Sequence, residues 1–333
     1  MKYSIVVVTY NRQKELFNCL ESIVRSSSPF KFEVIVVFNG DRAYMERCSQ
    51  TYKNFQMIFI NKTTPSNARN TAIKVATGEY LFFLDDDCVL PANYFSQINF
   101  DRPWDVLGGP DQTPLVSTPF QSAIGKALSS PLCMGPTYKR HTLSNVYDTE
   151  ANEQSLILCN LWFRNSLFKV EGYKFNNNLF RNEENYLLKE LKNNNKIIHY
   201  NPNLYVYHQR KQGLEKLGAA IIKSGECRIQ NFSLLPQTKE IFYLLPLIWT
   251  FLFFLMIFHP QLILISAFAA YTFIIIIHYL INYKSFSVQY IFLHYFILTT
   301  YSIGLFKGLI KFSSTLYNNL KENRSFIKES RSK

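Results

Sequence analysis

The sequence predicts an α/β domain on a mostly parallel sheet, followed by C-terminal membrane helices. Three observations predict it. Short β-branched runs alternate with helical stripes over the first hundred residues. The last of these runs, Tyr80–Leu84, leads straight into Asp85-Asp86-Asp87. The 66 residues Ile241–Phe306 carry one formally charged side chain, Lys284. So apolar a stretch excludes a purely soluble protein. The alternating charged and apolar segments of the first 240 residues equally exclude a simple multi-span transporter.

Ser4–Thr9 is a continuous β-branched run, which marks a strand buried on both faces. Gln13–Arg25 places Leu16, Leu20, Ile23 and Val24 on a helical stripe. Glu33–Phe38 reads as a strand, Ala43–Tyr52 as a helix and Phe55–Ile60 as a third strand. Ser66 is positioned to cap a helix running through Val75, with Gly78 as a left-handed stop. In parallel sheets with helices on both faces, ligands bind beyond the carboxyl ends of the strands. Those ends are Thr9-Tyr10-Asn11, Asn39-Gly40 and Asp85–Asp87.

Beyond residue 100 the pattern is mixed. Leu156–Cys159 reads as a strand, Arg164–Val170 as a short helix and Glu183–Leu191 as a stronger one. Lys196–Tyr200 and Leu204–Tyr207 read as short strands. Lys211–Phe232 has Leu214, Leu217 and Ile221 on one side and suits a helix on a membrane surface or an ordinary amphipathic helix. Ile241–Phe258 and Gln261–Ile281 are long enough for a bilayer core of about 30 Å, with His259-Pro260 as the break. The less apolar Val288–Phe306 is expected to be re-entrant or packed on protein, with a third full span as the alternative.

The formal net charge is +12, and seven Lys/Arg face two Glu between Lys307 and Lys333. A basic tail beside apolar segments suits anionic membrane lipid. Nucleic acid is not expected as a partner, since no helix-turn-helix, zinc-finger or RNP-type pattern is present. The six cysteines, none closer than 26 residues to the next, form no Cys-x-x-Cys, so reduced, buried thiols are expected. The N-terminal apolar run is too short for a signal peptide. Together with positive-inside logic, this predicts a cytoplasmic soluble domain anchored in the cytoplasmic membrane.

Three adjacent carboxylates at a strand end repel one another unless a cation or donors compensate. An all-oxygen set points to Mg²⁺ or Mn²⁺, completed by substrate phosphates. In these residues the sequence resembles the GT-A fold glycosyltransferases of family 2. The matching segments are Ile5–Arg12, Val34–Gly40, Asn67–Ala72, Thr77–Asp87 with Pro91, Asn160–Arg164 with Gly172-Tyr173, Arg181–Leu187, and Tyr207-His208, in order over about residues 3 to 210. His294, Tyr301, Gly304 and Gly308 are similar to the membrane tail of some bacterial members.

The resemblance implies a nucleotide-sugar donor, a Mg²⁺ or Mn²⁺ cofactor, and inversion at the anomeric carbon. Thr9, Tyr10, Asn11, Asn39, Arg69, Asp85 and Asp86 are its implied nucleotide-sugar residues. Asp87, with Asp85 and His208, is implied at the metal. Glu183-Glu184 matches the pair that supplies the base, with Glu184 at the base position and Glu183 as the alternative. Asn39 stands where most members have Asp, and Cys88 where an acidic residue often follows. The implied organisation is a catalytic domain over 1–210, an interfacial linker over 211–240, a membrane region over 241–306 and a basic tail over 307–333. The implied acceptor is a lipid-linked or cell-surface glycan. The alternatives are transfer to polyprenyl phosphate, or a non-catalytic nucleotide-sugar-binding membrane protein.

Overall fold

The continuous apolar runs at the N-terminus form strands whose residues alternate between two cores. In β1 (Lys2–Thr9), Ile5 and Val7 enter one cluster and Val6 the other. β2 (Lys31–Asn39) does the same with Val34, Val36 and Phe38 against Ile35 and Val37. A strand buried on both faces has no polar face to alternate, which is why these runs read as solid hydrophobic blocks.

The computed structural model describes residues 2–26, 28, 30–143, 146–284 and 286–331. They divide into two compact units, Met1–Ser117 with Gly135–Arg210, and Thr118–Met134 with Lys211–Lys333. In the first unit, α1 (Gln13–Arg25), α2 (Arg42–Thr51) and α3 (Pro65–Val75) connect β1, β2, β3 (Gln56–Ile60) and β4 (Tyr80–Asp85). β5 (Cys88–Val89), β6 (Val106–Gly108) and β7 (Asp111–Gln112) follow. The chain then passes through α4 (Pro119–Leu128) and α5 (Pro131–Met134) of the second unit. It returns as β8 (Asn160–Arg164), α6 (Ser166–Lys169), α7 (Glu183–Asn193), β9 (Ile198–Tyr200) and β10 (Val206–His208). The main sheet has the order β3-β2-β1-β4-β8-β6-β9. It is parallel from β3 to β4, while β8 runs antiparallel to both β4 and β6. A small second sheet, β5-β10-β7, lies beyond the end of β4.

The expected elements of the first unit shift in several places. Leu156–Cys159 is not a strand; its apolar character reflects burial of Leu156, Leu158 and Cys159 in turns. The strand begins at Asn160, whose fully buried amide is held by Tyr94, Pro110 and Leu204. The short helix is only Ser166–Lys169, and the last strand is Val206–His208. Thr64 rather than Ser66 caps α3, accepting from the Asn67 amide, with Pro65 opening the helix. Ser66 instead donates to the Leu179 carbonyl. Gly78 is not in the left-handed region. It is required for space, because a Cβ there would sit 2.5 Å from Ser4 N and Tyr3 C.

The second unit adds α8 (Leu214–Leu234), α9 (Leu245–Phe258), α10 (Leu262–Tyr283) and α11 (Val288–Arg331). Among the described residues, three helices are long and apolar enough to cross a membrane: Glu240–Phe258, Leu262–Tyr283 and Val288–Thr315. α9 buries none of its residues, as expected of an apolar helix surrounded by lipid. The third apolar segment is an uninterrupted helix with no re-entrant turn. Its inner face, including Tyr290, Leu293, His294 and Leu305, is fully buried. His294 meets Ser130 Oγ at 3.2 Å through Nε2. The basic tail over 307–333 falls, from residue 316 onward, outside the residues whose side chains are described.

α8 lies along α11 through glycines. A Cβ on Gly225 would meet the Tyr301 carbonyl and Leu305 amide, and one on Gly308 would meet Ile229 and the Glu226 carbonyl. A Cβ on Gly304 would sit 2.1 Å from the Ile222 carbonyl oxygen. Backbone cannot yield as a side chain does. Gly304→Ala is therefore expected to destabilise the detergent-solubilised protein at the upper end of the ~1–3 kcal/mol typical of overpacking. Gly213→Ala, which meets nothing within 4 Å, is the control. Equal melting temperatures for the two variants would contradict the close approach of α8 and α11.

Candidate active site

The carboxyl ends of β1 and β4 are neighbours in the sheet, with Val8 opposite Asp85. This register brings the Thr9–Arg12 segment against the aspartates. Thr9 Oγ1 donates to Asp86 Oδ2 at 2.8 Å. Arg12 Nη1 reaches Asp86 Oδ1 at 2.8 Å and Asp87 Oδ2 at 2.7 Å. Asp86 is buried, and its oxygens are turned to Thr9 and Arg12, so it fastens β4 to the end of β1. Burial pushes the Asp86 carboxyl up to about 7, against the pull of Arg12. Asn11 takes the left-handed conformation that Asn tolerates, and Tyr10 projects beside it, 43% exposed, with its ring under Lys62.

Asp85 and the second oxygen of Asp87, Oδ1, point elsewhere. With His208 they form a group whose ligand atoms all lie within 4.8 Å of one another. His208 arrives on β10, which pairs with β5 immediately after the aspartates, so the small sheet brings this imidazole to the carboxylates. Two carboxylate oxygens and one imidazole nitrogen form a donor set suited to Mn²⁺ or Mg²⁺ with other positions open. His208 Nε2 lies 3.1 Å from Asp87 Oδ1, and Nδ1 lies 2.6 Å from Asp111 Oδ2. A carboxylate on the far ring nitrogen orients an imidazole toward a metal. Asp111 is itself fully buried, gripped bidentately by Arg210 and touched by His141 at 2.6 Å. Against its burial, Arg210 and His141 hold it well below the usual carboxylate range.

Arg69 joins this cluster to the acidic pair. Its Nη2 lies 3.1 Å from Asp85 Oδ1, and its Nη1 lies 2.5 Å from Glu183 Oε1. Glu183 and Glu184 open α7 after Asn182, which is left-handed and provides no side-chain cap. Both are buried rather than solvated as capping charges would be. Glu184 lies 3.6 Å from Arg140 Nη1, and Arg140 also donates to Asn185 and to the Glu153 carbonyl. Burial pushes Glu183 up to about 7, with Arg69 opposing and Glu184 reinforcing the shift.

The unfolded value for Glu183 is about 4.3, so between about pH 4.3 and 7 the folded chain keeps a proton that the unfolded chain gives up. The stability this contributes is complete below that range and is lost as pH rises through it. In thermal denaturation, wild type is expected to lose ground to Glu183→Gln from pH 5 to pH 8. A difference that does not change with pH would contradict this burial effect.

Asn39 is placed at the end of β2, but both halves of its amide are engaged by one residue. Nδ2 donates to the Thr63 carbonyl at 3.0 Å, and Oδ1 accepts from the Thr63 amide at 2.8 Å. Sequence reasoning gives no role to Arg12, Asp111, Arg140, His141 or Arg210. The one available signal is the pair of basic residues at 208 and 210, one at the end of β10 and one just beyond it.

The fold is the GT-A fold. Over 92% of this chain and 86% of the other, it superposes with a TM-score of 0.62 on the mannosyltransferase PcManGT from Pyrobaculum calidifontis, solved with GDP-Man and Mn²⁺, at 14% identity. Residues 4–99 match the family described as glycosyl transferase family 2. It is similar to the poly(ribitol-phosphate) beta-glucosyltransferase of Bacillus spizizenii, at 34% identity over 26% of this chain and 15% of that protein. It is also similar to the glycosyltransferase GlyA of Streptococcus pneumoniae, at 25% identity over 65% of this chain and 32% of that protein. The chain thus spans a third or less of these curated relatives.

Proposed function

We infer that the protein is a membrane-anchored, metal-dependent inverting glycosyltransferase. It moves one sugar from a nucleotide-sugar donor to a lipid-linked or cell-surface glycan acceptor at the cytoplasmic face of the membrane. The observation that carries the reading is the convergence of Asp85, Asp87 and His208 at the carboxyl end of the parallel strands. Support for a nucleotide-sugar donor also comes from the GDP-Man bound to the mannosyltransferase of similar fold. The three apolar helices support the anchor.

Asp85, Asp87 and His208 would hold Mg²⁺ or Mn²⁺, which offsets charge gathering on the departing diphosphate. Thr9, Tyr10 and Asn11 border the donor pocket, where the exposed Tyr10 ring offers a face to a base. With Asn39 engaged by Thr63, base reading falls to other groups. Arg69 fixes the distance between Asp85 and Glu183. Glu184 takes the proton of the acceptor hydroxyl as its oxygen attacks the anomeric carbon and the bond to the diphosphate breaks. Arg140 holds Glu184 in place for that transfer.

The test is donor turnover by the full chain in detergent, across a panel of nucleotide sugars, with Mn²⁺ and with EDTA. Turnover is expected with one donor class and to vanish in EDTA, returning on adding Mn²⁺. Donor binding without turnover of any donor would favour the non-catalytic alternative.

A further inference from the structure

His208 belongs to two clusters. Beside the carboxylates, it forms a second group with Cys88 and Cys159, whose ligand atoms also lie within 4.8 Å of one another. The fold builds this juxtaposition from three strands. Cys88 is the register partner of His208 in the small sheet, and Cys159 immediately precedes β8. Cys159 Sγ lies 3.8 Å from His208 Nδ1. Ligands on a tetrahedral zinc ion stand about 3.6 Å apart for a sulfur–nitrogen pair and about 3.8 Å for two sulfurs, from the usual bond lengths. Both thiols are buried and reduced, and His208 is the partly exposed member through which an ion would enter.

We propose that Cys88, Cys159 and His208 form a second site, for a thiophilic divalent ion such as Zn²⁺, and that its occupancy withdraws His208 as a ligand from an ion held by Asp85 and Asp87. Binding releases the two thiol protons to solvent. Two thiolates and a divalent ion are together neutral, so the surrounding Asp111, Arg210 and His141 need no new counter-charge. Asp111 gives up its contact with Nδ1 as that nitrogen turns to the ion. An imidazole bound through Nδ1 carries its proton on Nε2 and offers Asp87 a donor, not a ligand atom to a shared metal. The ions are therefore antagonists, a consequence that rests on the metal reading given above.

The probe is Cd²⁺, added to the full chain in detergent and followed by its ultraviolet thiolate-to-metal charge-transfer band. The band is expected to saturate at one Cd²⁺ per chain, to vanish in Cys88→Ala and in Cys159→Ala, and to persist in Asp87→Ala. Mn²⁺ bound to wild type is expected to be released as the band grows. X-ray absorption fine structure of Cd²⁺ on wild type needs no variant and should show two sulfurs and one nitrogen. An oxygen-only shell, or a band that survives in both cysteine variants, overturns the site. A normal band with no release of Mn²⁺ keeps the site and overturns the antagonism. Unchanged metal-dependent nucleotide binding by Asp87→Ala overturns the metal reading alone.

Discussion

Asp87→Ala is expected to abolish sugar transfer and to remove the metal-dependent part of nucleotide binding. Asp87 is the residue on which the two halves of the candidate site meet. One of its oxygens faces Arg12 at 2.7 Å and the other faces His208 Nε2 at 3.1 Å. Without this carboxylate, one of the three convergent ligands is gone, and the remaining pair cannot set the position of an ion against a diphosphate. Metal stabilisation of a leaving group is worth several kcal/mol, so the rate should fall at least about a thousandfold. Arg12 keeps its contact with Asp86, so the end of β1 stays attached and the ligand-free melting temperature should change far less than the rate. Undiminished turnover in a folded variant would remove the metal assignment.

Glu184→Gln is expected to separate rate from binding. The substitution preserves shape and the neighbour Arg140 while removing the ability to accept a proton. A positioned general base contributes about 10²–10⁴-fold, and this is the loss expected in kcat, with donor affinity little changed. Glu183 is the poorer candidate on geometry, since its carboxylate is held by Arg69 at 2.5 Å and lies one bridge away from Asp85. If Glu184→Gln keeps its rate while Glu183→Gln loses it, the roles exchange. If both keep it, the acceptor needs no base, which is the behaviour expected of polyprenyl phosphate.

The parts of this fold visible in the sequence are those whose cause is local. β1, β2 and β4 show as solid apolar runs because each feeds two cores at once, and the aspartates stand where such a strand must end. The region after residue 100 is harder to read because its strands are three to five residues long or shorter and owe their place to partners far away. Leu156–Cys159 is apolar because it is buried, and no periodicity distinguishes that from a strand. α4 left a signal in Thr118–Gln121, a reciprocal capping box, though only packing decides that this helix joins the C-terminal unit.

The site divides in the same way. Asp85, Asp87 and the Glu183-Glu184 pair are legible as carboxylates at element ends. Their fixing is not: Arg69 and Glu183 are 114 residues apart, and Asp111 and Arg210 are 99 apart. The departure at Asn39 is legible as a lost charge. Its consequence, an amide engaged by the Thr63 backbone, depends on a loop that no local pattern specifies.

Electron–nuclear double resonance on Mn²⁺ bound to the full chain, with UDP and GDP supplied in turn, tests the central claim most directly. A ³¹P coupling from a directly bound diphosphate and a ¹⁴N coupling from His208 are expected in the same spectrum, both lost in Asp87→Ala. A spectrum of hydrated Mn²⁺ with neither coupling, in a protein that still binds the nucleotide, would contradict the account.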